Sequence, residues 1–182
     1  MSTRNVTSRL VVGAGLSLLA MSCALAQPGP GLGTPVTAED LAAWDISVQT
    51  NGDGLPAGSG NARTGAQIYA VKCAVCHGIG GAGQPNDQLV GGQGSLTELA
   101  QVRTIGSYWP YATTVFDYIR RAMPFQSPQS LTNDEVYALT AYLLAENDII
   151  DDNDTLNART LARVKMPNRD GFILAYPQRA DR

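Results

Sequence analysis

Residues 73–77 read Cys73-Ala74-Val75-Cys76-His77, and this CxxCH pattern decides how the rest of the chain is read. Two thiols on one tight helical turn can reach the two vinyl groups of a porphyrin and form thioethers, while the adjacent imidazole turns in to bind the iron. The competing readings of a CxxC pair are weaker here. A tetrahedral zinc site needs about four ligands, yet His77 is the only histidine in the chain and no further CxxC or HxxxH completes a set. A thioredoxin-like dithiol opens a helix after a strand, whereas this motif follows a helix-compatible run and precedes a glycine-rich stretch. The pattern therefore points to one covalently attached haem c, with Cys73 and Cys76 as attachment points and His77 as an iron ligand.

The chain starts MSTRNVTSRLVVGAGLSLLAMSCALAQ, with basic Arg4 and Arg9, an apolar stretch from Leu10 to Ala20, and Ala24-Leu25-Ala26 before Gln27. This is the form of a secretory signal peptide, expected over residues 1–26, and it implies a periplasmic location. Cleavage after Ala26 removes Cys23 and leaves the two motif cysteines as the only thiols. The alternative is lipid attachment at Cys23, but Met21 is a poor residue for such a site. The signal region holds two of the thirteen basic residues and none of the sixteen acidic ones, so the mature formal charge is 11 minus 16, or −5. That balance excludes nucleic acid as a partner. No apolar run of about 18 residues follows the signal region, so no membrane span is expected after cleavage.

About 156 residues then remain, enough for one domain with a modest core. Residues 27–60 form an N-terminal arm rich in glycine and proline, with a short helix expected from Thr37 to Asp45 behind a Thr37–Asp40 capping box. Residues 61–147 form the central domain. Within it, helix is expected from Ala62 to Cys76, over SLTELAQVRT (residues 95–104) with Leu96, Leu99 and Val102 as its apolar face, from Tyr111 to Ala122, and from Leu131 to Glu146. The third of these stands between Pro110 and Pro124 and lines up Val115, Phe116 and Ile119. The fourth carries a capping box, Thr132-Asn133-Asp134-Glu135, and a packing face of Val136, Leu139, Tyr142 and Leu143. The glycines of Gly78-Ile79-Gly80-Gly81-Ala82-Gly83 are expected to let the backbone approach the edge of a flat ligand. Residues 148–182 form a C-terminal extension whose acidic start, Asp148 to Asp154, reads as a solvated turn. The chain as a whole reads as all-α.

With no second histidine, the sixth iron position falls to Met123, Met166, Lys72, Lys165, water or nothing. Lys72 adjoins Cys73 on the proximal side and does not readily cross over. Of the two methionines, Met123 is favoured because it follows a helix and is held by Pro124, whereas Met166 reads as core packing. A thioether opposite imidazole raises the reduction potential relative to stronger donors.

The order of a helix, CxxCH, a glycine-rich loop, helices, Met-Pro and a long helix resembles the class I cytochrome c fold from about Asn61 to Glu146. Longer stretches are similar to the cytochrome subunit of periplasmic sulfite dehydrogenases and the cytochrome part of the related sulfur-oxidation dehydrogenase. They are Trp44-Asp45-Ile46, Gly54-Leu55-Pro56, Gly91-Gly92-Gln93-Gly94, TIGSYWPYATTVFDYIRRAMPF from Thr104 to Phe125, and MPNRDGF from Met166 to Phe172. This resemblance implies a small monohaem electron-transfer subunit without chemistry of its own. It would take electrons singly from a molybdenum-containing sulfite dehydrogenase catalytic subunit and pass them to a downstream cytochrome c or oxidase. It also implies Cys73 and Cys76 as the attached thiols, His77 as proximal and Met123 as distal ligand, with Tyr108, Trp109 and Arg103 or Arg120 near the propionates. Members of the fold usually set a proline just before a leucine in the loop after the motif, its carbonyl orienting the imidazole. Here Pro85 stands four residues before Leu89, so the acceptor of the His77 ring N–H stays open. The alternatives are a cytochrome serving another periplasmic dehydrogenase or a thiosulfate-oxidising complex, and a haem enzyme or sensor with an open distal site.

Overall fold

The computed structural model describes residue 29, residues 31–173 and residues 175–176. The expected signal peptide, with Cys23 and its cleavage site, lies outside the described residues. The segment up to Leu41 and the body from Ala42 onward are two separate units. In the first, the Thr37 hydroxyl accepts from the Asp40 N–H at 3.1 Å and the Asp40 carboxylate from the Thr37 N–H at 3.1 Å, opening helix α1 (Ala38–Trp44).

Thr132 and Glu135 start the central helix of the body, α5 (Asn133–Ala145). The hydroxyl accepts from the Glu135 N–H at 3.2 Å and the carboxylate from the Thr132 N–H at 2.8 Å, satisfying two N-terminal donors at once. One packing face was expected on this helix. Instead Val136 through Ala141 and Leu143 through Ala145 are all buried, so neighbours cover most of its circumference. Those neighbours are α2 (Ala62–Lys72), α4 (Ala112–Ala122) and a two-stranded ribbon.

Helix α2 is capped by Asn61, whose side chain accepts from the Thr64 N–H at 3.0 Å, and buries Ala62, Gly65 and Tyr69 at helical spacing. Gly65 has a packing role, because a Cβ there would meet the Ala138 carbonyl of α5, so glycine permits the close crossing. The expected continuous helix to Cys76 is interrupted. The backbone leaves helical geometry at Cys73 (φ −123°, ψ −39°), and one further turn, α3 (Ala74–His77), follows. Val71 and Val75 on this stretch are both exposed.

Helix α4 buries Val115, Phe116 and Ile119 as its spacing predicts, and Phe116 stacks on Tyr137 of α5 at 4.5 Å between ring centres. It ends at Met123, which is extended (φ −117°, ψ 144°), the region to which a following proline restricts its predecessor. Residues 95–104 do not form the expected helix. Only Ser95–Thr97 make a 3₁₀ turn, Glu98 is extended and Leu99 is fully exposed. The buried Ser95 hydroxyl donates to Gly92 O at 2.7 Å and accepts from the Val102 N–H at 3.0 Å, closing the segment as a loop. A ten-residue helix has little intrinsic stability to set against such side-chain-to-backbone bonds.

The C-terminal extension is more structured than its weak periodicity suggests. Strand β1 (Ser59–Asn61) pairs antiparallel with β2 (Thr155–Asn157), in the register Ser59 to Asn157, Gly60 to Leu156 and Asn61 to Thr155. A short helix, α6 (Ala158–Leu161), is capped by Asn157. Leu156, Leu161 and Met166 are buried in the core. The acidic segment is an exposed turn closed by the Asp154 N–H donating to Asp151 O at 2.9 Å. The fold is helix-dominated, as expected, with three-residue strands as its only sheet among the described residues.

Candidate functional site

The kink at Cys73 and the turn of α3 carry Cys73, Cys76 and His77 to the wall of a cavity of about 490 Å³. The backbone around them is held on several sides. The buried Tyr69 hydroxyl donates to Gly78 O at 3.0 Å, the Gly83 N–H to His77 O at 2.8 Å, and the Asn86 N–H to Cys76 O at 2.8 Å. Gly78, Gly80, Gly81 and Gly83 all have positive φ. They serve the chain itself and not the cavity, contrary to expectation: a Cβ on Gly78 would meet Gly83 O, and one on Gly81 would lie 2.6 Å from Val90 Cγ2. None of the four lines the cavity.

The open question of the imidazole partner has an answer in this loop. His77 Nδ1 lies 2.9 Å from the Asp87 backbone carbonyl, and since a carbonyl only accepts, Nδ1 carries the proton and Nε2 is left free to coordinate. The proline carbonyl of the related pattern is replaced by that of an aspartate.

From α4 and its end, Ile119 and Met123 reach the same cavity, as do Leu139 and Leu143 of α5. The structure thus brings Cys73, Cys76, His77 and Met123 to one space. Met166 does not line it and is buried at 1 % exposure in the core. Lys72 is at the cavity, but its ammonium is paired with Glu135 at 2.7 Å. Of the four residues expected near propionates, Arg103 and Trp109 line the cavity. Tyr108 does not; it stacks edge-on against Phe172 and receives the Asn168 side-chain N–H on its carbonyl. Arg120 is also elsewhere, donating to Ile46 O at 3.3 Å.

The donor set fits a haem joined through thioethers. Burial pushes the Cys73 thiol up to about 11, with Lys72 opposing and Cys76 adding to the shift. Burial likewise raises the Tyr69 phenol to about 12. Among the described residues no three of His, Cys, Asp or Glu converge as a metal-ion cluster, which argues against the zinc reading. The cavity volume lies within the range of cofactor pockets, and its walls combine apolar side chains with a few convergent polar groups. Sequence reasoning did not single out the Asp87 carbonyl or the buried Asn147. The first acts through its main chain, and the second follows a helix end with no motif around it.

Residues 60–143 match the family model described as cytochrome c oxidase, cbb3-type, subunit III. A chain in the crystal structure of the sulfane dehydrogenase SoxCD from Paracoccus pantotrophus is 45% identical, with a TM-score of 0.76 over 79% of this chain and 71% of that one. No curated protein matches the sequence. No helix among the described residues is long and apolar enough to cross a membrane. A CxxCH motif at the wall of an apolar cavity, the family match across the central helices and the 45% identity over most of both chains agree: the chain belongs to the cytochrome c family of haem-binding electron-transfer proteins.

Proposed function

We propose that this chain is a periplasmic monohaem cytochrome, released from its signal peptide after Ala26, that serves as the electron-transfer subunit of a sulfur-compound dehydrogenase. The observation that carries the reading is the convergence of two thiols, one imidazole and one thioether on a single apolar cavity. A bound haem supplies reversible one-electron chemistry at its iron. Cys73 and Cys76 attach it, His77 Nε2 and the Met123 sulfur bind the iron, and Arg103 neutralises propionate charge at the cavity wall. The Asp87 carbonyl fixes the ring orientation of His77 and raises its basicity as a ligand. Ile119, Leu139 and Leu143 keep water out and the local dielectric low. With His77 and Met123 both holding the iron, no open site would be left for substrate. Catalysis then belongs to a partner, a molybdenum-containing catalytic subunit, with a downstream cytochrome c or oxidase as acceptor.

Within this class, the identity to a sulfane dehydrogenase chain favours a sulfane-oxidising partner over a sulfite-oxidising one. The test is an anaerobic optical spectrum of the matured protein mixed with each purified molybdenum enzyme, before and after its substrate is added. Rapid appearance of a reduced low-spin c-haem spectrum, absent without the enzyme, is expected. A low-spin haem that stays oxidised with both enzymes refutes the donor, and a high-spin haem refutes the assignment of Met123.

A further inference from the structure

Asn147 follows the last turn of α5 and is 2 % exposed. Its side-chain N–H groups donate to Leu143 O at 2.7 Å and Leu89 O at 3.2 Å, and its Oδ1 accepts from the Gly91 N–H at 2.9 Å. Its own carbonyl accepts from the Gln93 side chain at 3.2 Å. Capping α5 requires only the bond to Leu143. The other three reach the loop that begins two residues after Asp87.

That loop is tied to the motif on its other side, by the Asn86 N–H on Cys76 O and the Leu89 N–H on Gly81 O, both at 2.8 Å. It is thus stretched between two anchors, with the Asp87 carbonyl between them and 2.9 Å from His77 Nδ1. We propose that Asn147 is a positioning residue for the proximal imidazole: by clamping Leu89 and Gly91 it holds the Asp87 carbonyl on the His77 ring N–H and so sets how strongly that ring donates to the iron. The inference rests on His77 as an iron ligand, as proposed above.

A looser carbonyl withdraws less from the N–H, the ring becomes a poorer donor, and the oxidised iron loses more stabilisation than the reduced. The midpoint potential then rises. Asn147→Leu keeps the shape and removes both donors and the Gly91 acceptor without adding a charge that would itself move the potential. Gly106→Ala tests the same clamp from another side, since its Cβ would lie 2.8 Å from Asn147 Cγ and 2.9 Å from Gln93 Nε2. Gln93→Ala, at an exposed position, removes only the outermost bond.

The holoproteins are compared by redox titration and by NMR of the hyperfine-shifted His77 Nδ1 proton. In Asn147→Leu and Gly106→Ala, solvent exchange of that proton is expected to quicken about tenfold. The ratio of oxidised to reduced affinity should fall about threefold, an upward shift of roughly 28 mV at 59 mV per tenfold. Gln93→Ala should move both in the same direction by less, and remains informative where the buried variants do not fold. Leu161→Ala, buried in the core away from the loop, should lower Tm and move neither. Potentials and exchange rates that stay at wild-type values in all three loop variants overturn the proposal. A wild-type protein lacking a histidine-ligated low-spin haem overturns the reading beneath it, and the first spectrum shows that separately.

Discussion

Gly65→Ala sets two effects of opposite sign against each other. Alanine in a helix interior is favoured over glycine by about 1 kcal/mol, so propensity alone predicts a more stable protein. The crossing of α2 and α5 opposes it. A Cβ at position 65 would lie 2.6 Å from the Ala138 carbonyl carbon and 2.6 Å from Tyr142 Cβ, with Ala138 O closer still. Ordinary contact begins at 3.4 Å, so the helices must part by at least the difference, 0.8 Å. The obstruction is main chain and a Cβ, which no rotamer change moves. A gap of 0.5–1 Å forfeits a quarter to a half of each dispersion contact, and overpacking of this kind costs about 3 kcal/mol at the upper end of its usual range. The net expectation is a loss of about 2 kcal/mol, or a fall in Tm of roughly 4–8 °C for a chain of this size. Urea titration of the haem-loaded protein, followed by far-UV circular dichroism, measures it. A variant as stable as wild type, or more so, refutes the close crossing of α2 and α5.

The two methionines should separate cleanly. Met123→Ala is expected to change the optical spectrum and lower the potential; Met166→Ala, at a core position, should cost about 2–5 kcal/mol with an unchanged spectrum. Hydrogen bonding from Lys72 first, and from the Thr132 N–H next, holds the Glu135 carboxyl below its ordinary 4.5. Its contribution is therefore present above pH 4.5 and lost as pH falls through the lower folded value, and Glu135→Gln should flatten that acid limb by under about 1 kcal/mol in urea midpoints measured against pH. The Tyr69 phenol is raised from 10 to about 12, so its stabilisation is complete below pH 10 and lost as pH climbs to about 12. Tyr69→Phe should be less stable than wild type at neutral pH, having lost the bond to Gly78 O, yet lose less on going to high pH.

Legibility in the sequence followed the strength of local signals. Thr132–Glu135 and the prolines flanking α4 name their own helix ends, and these fall within two residues of expectation. SLTELAQVRT has the right spacing for a helix, but the Ser95 hydroxyl bonds Gly92 and Val102, and nothing in the ten residues announces that. The glycines after His77 read as room for a ligand edge, whereas their purpose depends on Val90 and Gly83, which only the fold brings near. For the site, the residue types and their order point to Cys73, Cys76 and His77, and the Pro124 constraint points to Met123. Arg103 and Arg120 were indistinguishable in sequence and separate only because α4 turns the latter toward Ile46.

The partner of the His77 ring is an oxygen that every amino acid carries. Side-chain identity at position 87 is therefore nearly free to drift, and selection at this point of the loop acts on the path of the backbone. The pressure falls instead on whatever shapes that path: Gly81 and Gly83, whose positive φ few other residues adopt, and the tethers to Cys76 and Asn147. Relatives can thus retain the same proximal hydrogen bond while their sequences diverge at the residue that makes it, and a search keyed to a proline at that place would pass over them.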